Sequence, residues 1–171
     1  MKHHLYNPNY KFVKEPVDFN KYTGRSLLQY CLGATMYMPG TKDFAQAVVD
    51  KKYPGLTSMV MCFEDACSEE DVPAAEQNSI HVLETLKEAE NNGILRYEDI
   101  PLLFFRVRNP KQFKHFSSML RPEHIRYITG FNFPKFNSEN GKTYMSHLVE
   151  LNKKFGEIIY AMPIIEDAHV A

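Results

Sequence analysis

The sequence contains no tryptophan and only three cysteines in 171 residues. Cys31, Cys62 and Cys67 are odd in number and lack paired metal-ligand spacing. That excludes a disulfide framework and a thiolate zinc site, and it points to a reduced, cytoplasmic protein whose cysteines serve as small buried hydrophobes. Charge of one sign is also missing, since 20 Lys and Arg face 21 Asp and Glu for a formal net charge of −1. The electrostatic case for nucleic acid or an acidic membrane surface therefore fails, and neither is expected as a partner. No apolar run is long enough to span a bilayer. The N-terminus is polar and Tyr-rich and reads as lacking a signal peptide. No internal repeat or low-complexity segment stands out. His3 and His4 form a pair beside Lys2, but so close to Met1 they read as solvated residues rather than as a metal site.

What is present is an alternation of short apolar runs and amphipathic segments. Residues 1–32 read as a lead-in, broken by Pro8 and Pro16, with Tyr6, Tyr10, Phe12, Phe19 and Tyr22 as packing anchors. A short helix is expected over 26–32, stopped by Gly33. Strands are then expected over 34–38, 57–63, 101–108, 127–136 and 157–165. Helices fall between them: 42–52 capped by Thr41, one from about Asp71 to Gly93, one opened by Asn109-Pro110, and one from Ser138 to Gly156. Near-continuous apolar strands alternating with helices mean a parallel α/β sheet, here over 33–171.

The apolar runs end in charges. Met59 to Phe63 runs into Glu64-Asp65, Leu102 to Phe105 into Arg106-Val107-Arg108, Phe131 to Pro134 into Lys135, and Tyr160 to Ile165 into Glu166-Asp167. Charges gathered at the same end of successive strands are the pattern of an α/β-barrel active face. Alternation along each strand pairs Cys62 with Glu64, Arg106 with Arg108, Phe131 and Phe133 with Lys135, and Met162 and Ile164 with Glu166. Two arginines, a lysine and two glutamates around one pocket suit a small anionic substrate held with a divalent cation. Hard oxygen donors make that cation magnesium rather than a thiophilic metal. Each residue also has a plainer reading: Asp65 and Asp167 as loop caps, Arg106 and Arg108 as ion-pair partners, Lys135 as a snorkelling edge residue. His81, His115, His124 and His147 read as surface. Only the joint pattern favours a functional site.

Five short motifs carry a family resemblance. Met36-Tyr37-Met38-Pro39-Gly40 resembles the "LFVPG" of the citrate lyase β-subunit-like proteins of the HpcH/HpaI aldolase superfamily. Phe63-Glu64-Asp65-Ala66 is similar to their "LEDA", Arg106-Val107-Arg108-Asn109-Pro110 to "RVNP", Phe133-Pro134-Lys135 to "LPK", and Ile165-Glu166 to the start of "IETA". The resemblance implies a (β/α)8 TIM barrel of which this chain holds about the first five strands. It implies magnesium- or manganese-dependent carbon–carbon cleavage or condensation through an enolate, on a small hydroxy acid or its CoA thioester. By the same resemblance Glu166 is a metal ligand and Glu64 stands in the catalytic site beside it. Arg106 contacts the substrate carboxylate or enolate, and Lys135 lines the pocket. Arg106 is preferred over Arg108 for the family arginine, which leaves Arg108 in the place of the asparagine as a second substrate contact. Cys62 replaces a common aspartate, and Gly33 stands where an arginine is common. A non-catalytic relative that binds an anionic ligand or a protein partner is the alternative, as is an inactive fragment. Five strands of eight also lead us to expect a homo-oligomer or a portion of a longer polypeptide.

Overall fold

The alternating pattern folds into one parallel sheet with its helices outside. The computed structural model describes residues 9–168, so His3, His4 and Tyr6 lie outside the described residues. The strands are β1 (Met36–Pro39), β2 (Ser58–Cys62), β3 (Leu102–Arg106), β4 (Gly130–Phe133) and β5 (Tyr160–Pro163). The helices are α1 (Arg25–Leu28), α2 (Ala45–Val49), α3 (Val72–Asn91), α4 (Pro110–Ser118), α5 (Pro122–Ile125) and α6 (Gly141–Phe155). The strand order is β1-β2-β3-β4-β5, and every pairing is parallel. An order that never reverses keeps all crossovers on one side, because such crossovers share one hand. The sheet is therefore wound in one direction, as in a barrel, rather than doubly wound.

The helix limits follow local chemistry. Asn109 accepts a hydrogen bond from the Gln112 amide, and Pro110 follows where its missing N–H costs nothing. Gly156 ends α6 with φ +66, a left-handed conformation that suits glycine. α2 is shorter than its sequence suggests: Asp43, not Thr41, accepts from the Ala45 amide at its start. α5 was not expected at all. Only four residues long, it has no periodicity to read, and it begins at the Arg121-Pro122 step that reads as a stop.

The sheet has two differently filled faces. Its helix-facing side carries Met59, Met61, Phe63, Leu103, Phe105, Phe131 and Phe133, all buried against α2–α6. Phe113 of α4 is the hub, with ring centroids 4.6 Å from Phe131, 5.2 Å from Phe133 and 4.8 Å from His147. The inner side is built in register rows. Tyr37, Val60, Phe104, Gly130 and Tyr160 form one row, and Pro39, Cys62, Arg106, Asn132 and Met162 form the next toward the strand C-termini.

The lead-in closes the other end. Phe19, Leu28, Cys31 and Leu32 pack on Val60, Leu102 and Phe104. Lys21, 5 % exposed, donates to the Ile125 carbonyl at 2.5 Å and pairs with Glu157 at 3.4 Å. All three cysteines are free and buried. No helix among the described residues is long and apolar enough to cross a membrane.

Removing the Phe113 ring leaves a cavity between the sheet and two helices. Phe113→Ala is expected to cost about 3–5 kcal/mol, read as a shift in the urea unfolding midpoint with unchanged slope.

Candidate functional site

Parallel pairing brings every strand C-terminus to one edge, and the predicted charges meet there. Arg106 is the last residue of β3, Glu64 lies two residues beyond β2, and Lys135 two beyond β4. Glu166 lies three beyond β5. Arg106 Nη2 stands 2.5 Å from Glu64 Oε2, 2.9 Å from Asp65 Oδ2 and 3.5 Å from Glu166 Oε1. The Lys135 ammonium hydrogen-bonds Glu64 Oε1, and its backbone N–H donates to Glu166 Oε1 at 3.0 Å. Glu64 is 6 % exposed, and Arg106 and Lys135 are the cations that pair with it there.

The backbone at Lys135 is bent to serve this cluster. Its φ is +47, a left-handed conformation that costs a residue with a side chain about 1–2 kcal/mol. No helix end accounts for it. The turn lets one residue address Glu64 with its side chain and Glu166 with its amide. Its hydrogen bond to Glu64 holds the Lys135 ammonium above its ordinary pKa. A hydrogen bond to Glu64, followed by the charges of Arg106 and Lys135, holds the Asp65 carboxyl below its own. Three carboxylates against two cations leave the cluster with a formal charge of −1.

Arg108 does not join this group. Its Nη1 donates to the carbonyls of Phe63 at 3.3 Å, Glu64 at 3.5 Å and Cys67 at 3.0 Å. It braces the loop that carries Glu64 and Asp65. Gly33 is likewise remote, lying before β1 at the opposite end of the sheet. There its φ is +62 and an added Cβ would come within 2.5 Å of Thr57 Oγ1, so an arginine could not be accommodated without displacement. Asp167 is held from outside the cluster by Asn137 Nδ2 at 2.7 Å.

Strand four has the opposite phase to the one expected. Phe131 and Phe133 face the helices, and Asn132 faces inward in Arg106's own row. Asn132 is fully buried, and its Nδ2 reaches Tyr37 Oη at 2.9 Å. The signal was available, because Asn132 is the one polar side chain in a run of otherwise apolar residues and glycine.

Two histidines read as surface are withdrawn from it, His124 wholly and His147 in part. His124 is fully buried, accepts the Arg121 amide at Nδ1 and faces Glu84 Oε1 with Nε2 at 2.9 Å. Glu84, Glu123 and His124 bring ligand-type atoms within 4.8 Å of one another. The Arg121 guanidinium already pairs with Glu84 and Glu123, so the group is a knot between α3 and α5. His147 stands 2.7 Å from Ser117 Oγ and 3.6 Å from Glu150, a triad-like line. Ser117 is 1 % exposed and donates to the Lys114 carbonyl, so it ties α4 to α6 rather than presenting a nucleophile. A cavity of about 410 Å³ lined by Phe44, Lys51, Tyr53, Arg96 and Asp99 lies among residues remote from the charged cluster.

A one-way-wound parallel sheet with opposed charges at its strand C-termini has the architecture of a barrel enzyme. The model of one family, the C–C bond lyases of the TIM-barrel fold, matches residues 26–171. The chain belongs to that family. No curated protein matches it.

Burial first, and then the charge of Arg121, lower the His124 pKa below its ordinary value. The imidazole is thus neutral in the fold, while the unfolded chain takes a proton near pH 6.5. Stability should therefore fall as pH drops below about 6.5 and level off only below the folded-state pKa. Melting temperatures between pH 7.5 and 5, with an NMR titration of the His124 ring, check both statements.

Proposed function

We propose that this cluster is the reaction site of a divalent-metal-dependent carbon–carbon lyase acting on a small anionic hydroxy acid or its CoA thioester. The observation that carries the reading is the convergence of Glu64, Asp65 and Glu166 on one nitrogen of Arg106, with Lys135 beside them. The donors are all hard oxygens and the cluster retains one negative charge, which suits Mg2+ or Mn2+ and not a thiophilic ion. Glu166 would hold the ion, with Glu64 beside it. A bound divalent ion supplies Lewis-acid polarisation of a carbonyl oxygen.

The chain's own residues do the rest. Arg106 faces the oxygen on which enolate charge develops, where a fixed cation lowers the barrier most. Lys135 offers a second cation to a substrate carboxylate. During cleavage the substrate hydroxyl gives its proton to a carboxylate of the cluster and becomes the carbonyl of one product. The electron pair of the broken bond stays on the enolate, which takes up a proton to give the other product. The HpcH/HpaI aldolase and citrate lyase β-like branch is the closest reading of the motifs, and reduced buried cysteines suit a cytoplasmic setting.

The test uses the purified protein with Mg2+ and a malate or malyl-thioester probe. Glu166→Ala should abolish metal-dependent binding, and unchanged Mg2+ affinity would remove Glu166 as a ligand. Arg106→Lys should weaken binding of the anion about tenfold or more. Arg108→Lys should chiefly lower thermal stability, because Arg108 holds backbone carbonyls. The reverse order of effects on binding would exchange the roles of the two arginines.

A further inference from the structure

Among the described residues, two buried side-chain polar atoms have no partner: Arg106 Nε and Asn132 Oδ1. Buried polar groups are nearly always satisfied, and an unmade hydrogen bond leaves a desolvation penalty behind. These two atoms are complementary, one a donor and the other an acceptor. They belong to residues directly paired across β3 and β4, both in the inner row at the strand C-termini. The rest of that row is Pro39, Cys62 and Met162, none of which competes as a strong hydrogen-bonding group.

The Asn132 amide is held in one orientation. Its Nδ2 donates to Tyr37 Oη at 2.9 Å and lies 3.3 Å from Met162 Sδ. A thioether sulfur can only accept, so the NH2 belongs on that side and the carbonyl oxygen on the other. Arg106 is fixed differently. Its Nη2 is shared by three carboxylates, while its Nε is left without a partner.

We propose that Arg106 Nε and Asn132 Oδ1 together bind one hydroxyl group of the substrate before reaction, with Tyr37 positioning the Asn132 amide; the hydroxyl proton turns from Asn132 Oδ1 to a cluster carboxylate as the carbon–carbon bond breaks. A hydroxyl is the group that accepts and donates through one oxygen, so it satisfies both atoms at once. This rests on the function proposed above and narrows it. The site takes acids that carry a hydroxyl and discriminates against the same acids without it. A pocket with a buried polar group rejects a ligand that leaves that group unpaired far more strongly than an apolar pocket rejects a size change. Both atoms are closed to solvent, so the Arg106 side chain must shift as the ligand enters.

Matched pairs of probes test this by calorimetry in the presence of Mg2+: malate against succinate, and 3-hydroxybutyrate against butyrate. The wild type should prefer the hydroxy acid of at least one pair by about tenfold or more. Asn132→Leu should reduce that preference to near one. Its melting temperature should hold or rise, because the substitution removes an unpaired buried oxygen. Retained preference in a folded Asn132→Leu protein overturns the proposal. Should that variant not fold, Tyr37→Phe takes its place, because it frees the amide without removing it. It should lose part of the preference, and a full preference there also overturns the proposal. Equal affinity for both members of each pair, still lost in Arg106→Lys, removes the hydroxyl site and leaves the lyase reading standing. If none of the acids binds, the lyase reading fails and this inference fails with it.

Discussion

One nitrogen of Arg106 holds together a site drawn from three separate strand ends. Glu64 and Asp65 follow β2, Glu166 follows β5, and Arg106 itself ends β3. None of these residues is near the others in sequence except the first two. What makes the meeting possible is the sheet: five parallel strands in sequence order, each starting at the same end. A single antiparallel strand would have sent its terminal charge to the opposite edge. Topology thus does for the site what no local motif could do. The buried carboxylate of Glu64 in turn makes the arrangement obligatory, because a buried charge without a partner is far more costly than the pair is favourable.

The supporting residues show where the structure commits energy to keeping the cluster in place. Lys135 adopts a left-handed backbone that its side chain disfavours. Arg108 gives a guanidinium to three loop carbonyls, an unusual use for a charged group beside an acidic cluster. Gly130 permits β5 to approach, since an added Cβ would meet the Tyr160 carbonyl at 2.3 Å. A side chain there would push away the strand that delivers Glu166. The strain at Lys135 and the bracing by Arg108 lie at the charged edge, where function is expected to oppose stability, while the close contact at Gly130 lies at the strand starts.

Much of this was legible from the residues alone. Short apolar runs between amphipathic segments gave five strands in their order, and the charges after each run marked the edge where they gather. Arg106, Glu64, Lys135 and Glu166 do come together. The phase of β4 was misread although Asn132 marked it, because Lys135 shares its parity with Phe131 and Phe133 in the sequence. The left-handed backbone at Lys135 breaks that parity beyond the strand end and turns the lysine to the cluster while the two phenylalanines face the helices. Phe131 and Phe133 are needed outside because Phe113 and Tyr144 wait for them there. His124 was misread for a different reason. It belongs to a helix too short to have a face, and its burial depends on Glu84, 40 residues away. Local pattern cannot report a contact of that range.

The inner rows also limit what the site can hold. Below the row of Arg106 and Asn132 lie Tyr37, Val60, Phe104 and Tyr160, and beneath them the lead-in packs Phe19 and Leu28 against Leu102. The lower part of the inner face is therefore mostly aromatic and aliphatic, although Tyr37 is 46 % exposed and Ser58 stands opposite Leu102. No charged side chain stands in those rows. An anionic ligand of the kind proposed would therefore find its charged partners at the strand-end edge, where Arg106 and Lys135 stand. On that proposal the geometry would suit a short acid bearing several oxygens. Any longer portion of such a ligand would extend away from the sheet, beyond the row of Arg106 and Asn132.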